Sequence, residues 1–197
     1  MENAIEIQPC CLKTSLWSAT PTGTIGILAD VPCYISSSPS QTSLTSSPTT
    51  SLPCRHLAIL IIHDLLGYRS TNTRLLADSY SALLSSSLPA TQVSVYIPDL
   101  FDGETLDADA INEGRWGDLD MAGFMARNGR ETREGKIFEC AKALRKEVES
   151  MEAGGDRGKK VKGKGRVAAV GFCYGGWAAL RLGASLALPS PIPPSSS

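Results

Sequence analysis

Histidine is nearly absent from this sequence: the 197 residues hold two, His56 and His63, and none follows His63. Any histidine base must therefore be His56 or His63. Cysteine is present six times (Cys10, Cys11, Cys33, Cys54, Cys140, Cys173) but never as Cys-x-x-Cys and never beside a histidine, so no metal site is expected. Excess charge is also lacking. A net charge of -1 supplies neither the basic surface that nucleic acids need nor an acidic one. No apolar run approaches the ~20 residues of a membrane-spanning helix; the longest, Leu57 to Ile62, meets His63 and Asp64 at once. Met1 to Pro9 carry two Glu and no basic residue, so no secretory leader is expected. Reduced thiols and a cytoplasmic location follow as expectations, with no nucleic-acid or membrane partner.

What is present reads as alternating strands and helices. Thr24–Leu28 and Val31–Ile35 are short β-prone pieces set off by Pro and Gly, and predict an N-terminal hairpin. Ser36 to Pro53 are almost wholly Ser, Thr and Pro and predict a linker. Leu57 to Ile62 fits a strand covered on both faces. Thr71 or Asn72 is expected to cap a helix whose Leu75, Leu76, Tyr80, Leu83 and Leu84 share a face. Val93 to Ile97 predicts a second core strand, ending in Pro98-Asp99-Leu100-Phe101-Asp102-Gly103. Glu104 to Asn128 reads as short helices in which Trp116 and Phe124 are candidates to line a substrate pocket, or to pack against the body. Arg130 to Met151 has the 3.6-residue apolar period of a longer helix. The basic run from Arg157 to Arg166, rich in glycine and free of aromatics, reads as a solvated loop. The Pro- and Ser-rich residues 189–197 predict a disordered tail behind one domain spanning 1–188.

The most informative stretch is Val167-Ala168-Ala169-Val170-Gly171-Phe172-Cys173-Tyr174-Gly175-Gly176-Trp177. An apolar strand runs into Gly-x-Cys-x-Gly-Gly and then a helix of small and apolar residues. That is the pattern of a nucleophile elbow, in which a sharp strand-to-helix turn exposes its central side chain. Flanking glycines leave room for the turn, and the helix N-terminus favours thiolate over thiol at Cys173. A structural cysteine in a Gly-rich turn is the competing reading.

Taken together, Ile61-Ile62-His63-Asp64-Leu65-Leu66-Gly67, Tyr96-Ile97-Pro98-Asp99-Leu100-Phe101-Asp102-Gly103 and Val170-Gly171-Phe172-Cys173-Tyr174-Gly175-Gly176 resemble the dienelactone hydrolase family, particularly its fungal members. Cys10-Cys11 followed by Thr20-Pro21-Thr22-Gly23 resembles the start of those fungal proteins. The resemblance implies an α/β-hydrolase fold: a mostly parallel sheet with flanking helices and an N-terminal hairpin, here without the C-terminal strands. It implies Cys173 as the nucleophile toward a small ester or lactone, with no cofactor and no metal. It also implies the backbone N–H groups of Leu65 and Tyr174 as an oxyanion hole, and Asp64 as a modulator of Cys173. In place of the arginine that bacterial members use for a substrate carboxylate, this chain has Gly103 in that neighbourhood. The triad Asp and His that should follow the nucleophile are not in the sequence. The chain is therefore expected to be a truncated member with impaired catalysis. Two other functions fit the same residues: a non-catalytic binding remnant of the fold, or a redox sensor using Cys173 as a low-pKa thiol. Oligomeric state is open.

Overall fold

The structure, a computed structural model, describes residues 17–37, 55–88, 90–153 and 165–187. The residues of the expected linker from 38 onward, the basic run up to 164 and the 189–197 tail lie outside the described residues.

The hairpin forms as the sequence predicts, from β1 (Thr24–Leu28) and β2 (Val31–Ser37). Its two-residue turn, Ala29 and Asp30, has φ of 52° and 62°. Two positive values in succession give the twist that a tight hairpin requires. The strand continues through Ser36 and Ser37, so the first two residues of the expected linker are strand instead. Their hydroxyls explain it, since Ser36 pairs with Ser81 and Ser37 donates to Ser94, each at 2.9 Å.

Strands β3 (Arg55–Ile62), β4 (Thr91–Pro98) and β5 (Arg166–Gly171) complete a sheet ordered β1-β2-β4-β3-β5. The sheet is mixed, where a mostly parallel one was expected: β3 runs parallel to β4 and β5, while β2 is antiparallel to both β1 and β4. The hairpin causes this, because it adds two strands to the β4 edge without a crossover.

Helices cover both faces, giving a three-layer α/β architecture. Ile59, Ile61, Val93, Val95 and Ile97 point toward α1 (Thr71–Ser87). Ala58, Leu60, Ile62 and Tyr96 point to the opposite side, where α4 (Arg130–Ala153) contributes Ile137, Cys140, Leu144 and Val148 and α5 (Gly175–Ala187) contributes Ala178 and Leu182. Burial on both faces is why β3 reads as an unbroken apolar run. The short helices α2 (Ala108–Asn112) and α3 (Met121–Asn128), with a 3₁₀ turn at Trp116–Asp118, occupy the stretch between β4 and α4. Their caps are side chains: Asp107 accepts from the N–H groups of Asp109 and Ala110, and Asp120 from that of Gly123.

Helix α1 departs from expectation at its cap and in part of its buried face, where Leu75 is buried and Tyr80 and Leu84 pack toward the sheet as expected. Ser70 occupies the cap position with no side-chain hydrogen bond, in place of Thr71 or Asn72. Thr73, Leu75, Ala77 and Ser81 are buried, whereas Leu83 is exposed. Small residues at 73, 77 and 81 let the helix approach the sheet closely, and Leu83 falls on the far side.

Candidate active site around the Cys173 turn

Strand β5 ends at Gly171, and four residues later α5 begins at Gly175. The chain reverses within that span by hydrogen bonds from Gly175 N–H to Phe172 O (2.7 Å) and from Gly176 N–H to Cys173 O (3.1 Å). Cys173 takes φ of 49°, a left-handed value that is unfavourable for a residue with a Cβ. A Cβ on Gly171 would lie 2.1 Å from Gly175 O, and one on Gly175 would lie 2.1 Å from Ile62 O. Glycine at both positions is therefore a steric condition of the turn. Gly176 has no such constraint, since its nearest neighbour is 4.0 Å from an added Cβ. The Cys173 side chain is exposed, in contrast to Cys33 and Cys140. Burial pushes the Cys33 thiol far up and that of Cys140 up to about 11, which leaves both unreactive in the fold.

The turn is braced by the end of β3. Phe172 N–H donates to Ile62 O at 3.2 Å, and Ile62 is in register with Gly171. Cys173 and Asp64 thus lie two residues past paired positions on adjacent strands, at the carboxyl edge of the sheet. Among the described residues, the N–H groups of Leu65 and Tyr174 have no protein acceptor. Asp64 is half-buried and accepts from the N–H of Leu66 at 2.9 Å. Burial raises its carboxyl pKa, and the Leu66 bond and His63 oppose the rise.

His63 is fully buried and both ring nitrogens are engaged. Nδ1 lies 2.8 Å from Asp64 O, and Nε2 accepts from Leu100 N–H at 3.3 Å. The carbonyl can only accept and the amide can only donate, which fixes a neutral ring protonated at Nδ1. Burial also lowers its pKa. His63 joins the β3 and β4 end loops and has no nitrogen left to take a proton from Cys173.

Tyr174 closes the inner side of the turn. Its ring meets Phe101 edge-on at 5.1 Å and Trp177 at 5.9 Å, and its hydroxyl donates to Asn128 O at 2.6 Å. Burial raises the phenol's pKa, with Arg133 and Arg130 opposing. Phe124, a candidate to line a substrate pocket or to pack against the body, is 1% exposed and packs on Phe101 inside this aromatic cluster. Its ring belongs to the core. Trp116 is half-buried and packs against the same core from the 3₁₀ turn. Among the described residues, a groove of about 420 Å³ lies elsewhere, between α4 and α5, with Leu60, Phe138, Val167, Ala169 and Leu182 in its walls.

Sequence reasoning missed Glu104 and Asn128. Asn128 is fully buried, and its side-chain amide donates to Glu104 (2.8 Å) and to Phe124 O (3.2 Å) while accepting from Arg133 Nε (3.0 Å). The one available signal was Asn128-Gly129 before a helical pattern, which reads as punctuation. Among the described residues, no group of three His, Cys, Asp or Glu could hold a metal, and no helix is long and apolar enough to cross a membrane.

Two curated fungal proteins are similar to this chain. One, named hydrolase tropI, from Talaromyces stipitatus, is 24% identical over 179 residues, covering 86% of this chain and 54% of its own length. The other, named hydrolase pyvD, from Aspergillus violaceofuscus, is 28% identical over 100 residues, covering 51% of this chain and 33% of its own length. The chain thus spans about half the length, or less, of these relatives. No protein-family description matches it, and no solved structure does.

Proposed function

We propose that the chain is a cysteine-nucleophile hydrolase of the dienelactone hydrolase kind, acting on small esters or lactones, with Cys173 as the nucleophile. The observation that carries this reading is the conformation of Cys173. A left-handed, solvent-exposed cysteine on a glycine-flanked strand-to-helix turn, abutting the end of β3, is costly for a structural thiol. The hydrolase names of both distant relatives agree with it. In this reading the Cys173 thiolate attacks the ester carbonyl. The oxyanion forms against the N–H groups of Leu65 and Tyr174 and collapses with cleavage of the ester C–O bond, leaving a thioester on Cys173 while the departing alkoxide takes a proton from water. Asp64, whose carboxyl pKa burial raises, takes the modulating role in this reading. Trp116 is the substrate-contacting aromatic in this reading.

Thioester hydrolysis needs a base to activate water. Neither histidine supplies one: His63 has both nitrogens engaged, and His56 lies within β3, near its amino end, away from the elbow. Acylation of Cys173 should therefore outrun deacylation in these 197 residues. The test is incubation with p-nitrophenyl acetate and location of the adduct by peptide mass spectrometry. An acetyl group on Cys173, lost in Cys173→Ala, is expected. No acetylation under conditions where iodoacetamide alkylates Cys173 would sink the proposal. It would favour the non-catalytic remnant, or, if peroxide converts the exposed thiol to sulfenic acid, a redox sensor.

A further inference from the structure

We infer that Glu104 and Asn128 are positioning residues that hold the two N–H donors of the Cys173 site in register with each other. The inference rests on the hydrolase reading above and adds to it what fixes the site. The two donors belong to separate loops, one after β3 and one after β5. Neither loop bonds the other through Leu65 or Tyr174, yet an oxyanion accepts from both only if they converge on a point about 2.7–3.1 Å from each.

A continuous set of contacts links them. Leu65 O accepts from Leu106 N–H at 3.3 Å, which ties the first loop to the segment after β4. Gly67, in the same loop, approaches Thr105 so closely that an added Cβ would lie 2.6 Å from its methyl carbon. Glu104, one residue earlier, accepts from the Asn128 amide at 2.8 Å and from Arg127 Nη2 at 2.6 Å. Asn128 O then accepts the Tyr174 hydroxyl at 2.6 Å. Apart from the approach of the Thr105 methyl to Gly67, the steps between segments are hydrogen bonds, and the central one is buried on the Asn128 side. Arg133 braces the same junction from α4, bonding Asn128 Oδ1 through Nε and Asp102 through Nη1. Asn128 is thus held in one amide orientation, with its donor toward Glu104.

The test separates positioning from mere stability by comparing two reactions at one sulfur. Acetylation of Cys173 by p-nitrophenyl acetate develops an oxyanion, whereas alkylation by iodoacetamide does not. Asn128→Asp places a carboxylate against Glu104 while preserving the acceptor for Arg133. It should slow acetylation about tenfold and leave alkylation within about twofold. Pairing it with Glu104→Gln restores a donor and an acceptor in the reversed sense, and should recover most of the loss. If Asn128→Asp does not fold, Tyr174→Phe removes the hydroxyl link alone and should lower the acetylation-to-alkylation ratio several-fold. An unchanged ratio in either variant, or an equal fall in both reactions, overturns the positioning role and leaves the nucleophile reading standing. Absence of acetylation in the wild-type chain overturns both.

Discussion

Replacing His63 offers the sharpest check on its placement as an internal brace. The ring is fully buried, edge-on to Phe101 at 4.7 Å, and satisfies one backbone acceptor and one backbone donor. His63→Ala removes a ring from a packed interior, a loss of the order of 3–5 kcal/mol for aromatic truncations. It also strands the Leu100 amide, at a further ~1–3 kcal/mol for an unpaired buried group. Against a domain stability of about 5–15 kcal/mol, that variant should be unfolded or nearly so. His63→Gln can donate and accept in the same sense, and is the variant to measure. The folded-state pKa of His63 is lowered by burial, so its contribution is fully present above the unfolded pKa of ~6.5. It is lost as pH falls below that value, because the unfolded chain then binds a proton the native ring resists. The slope approaches about 1.4 kcal/mol per pH unit for one proton. Urea unfolding of wild type and His63→Gln at pH 7.5, 6.5 and 5.5 isolates this term. The stability difference should shrink steadily toward pH 5.5. Parallel pH profiles would show that His63 titrates freely in the fold, and the brace would be refuted.

Other outcomes follow from the elbow and the thiols. Gly175→Ala, with its Cβ 2.1 Å from Ile62 O, should cost more than ~3 kcal/mol, while Gly176→Ala should stay within ~0.5 kcal/mol; thermal melts compare them directly. Cys173→Gly should melt higher than Cys173→Ala by roughly 1 kcal/mol, since only glycine relieves a φ of 49°. In native protein at pH 8, a thiol reagent followed by peptide mapping should modify Cys173 and leave Cys33 and Cys140 unmodified until denaturant is added.

The parts of the fold that were legible are those whose local pattern and tertiary role coincide. The hairpin and the two core strands could be read from turn chemistry and apolar runs, and α4 from its period, because Ile137, Leu144 and Val148 face the sheet as their spacing requires. In α1 the same reasoning found Leu75, which is buried, and Tyr80 and Leu84, which do pack toward the sheet, but not Thr73, Ala77 and Ser81, small residues that a helical wheel of apolar positions passes over. At the site, Cys173 and its glycines were readable because they are contiguous. The Glu104–Asn128 contact joins residues 24 apart through side chains that look like ordinary surface polars in sequence. The position of His63 at the carboxyl end of a core strand was legible, and so was its poor placement to serve as a base. Its engagement by Asp64 O and Leu100 N–H emerges only once β3 and β4 are side by side.

Strand β5 has one neighbour among the described residues, β3, and its Ala168 and Ala169 are exposed. The strand carrying the cysteine turn is therefore, like β1 at the opposite side, an edge strand, while β2, β3 and β4 are each paired on both sides. Its amides should exchange with solvent through local opening well below the free energy of global unfolding. The strain held at Cys173 acts on that opening equilibrium directly. An adduct on its sulfur, or a partner strand laid along β5, would then be felt first in the exchange rates of residues 166 to 172, before any change in the melting of the molecule.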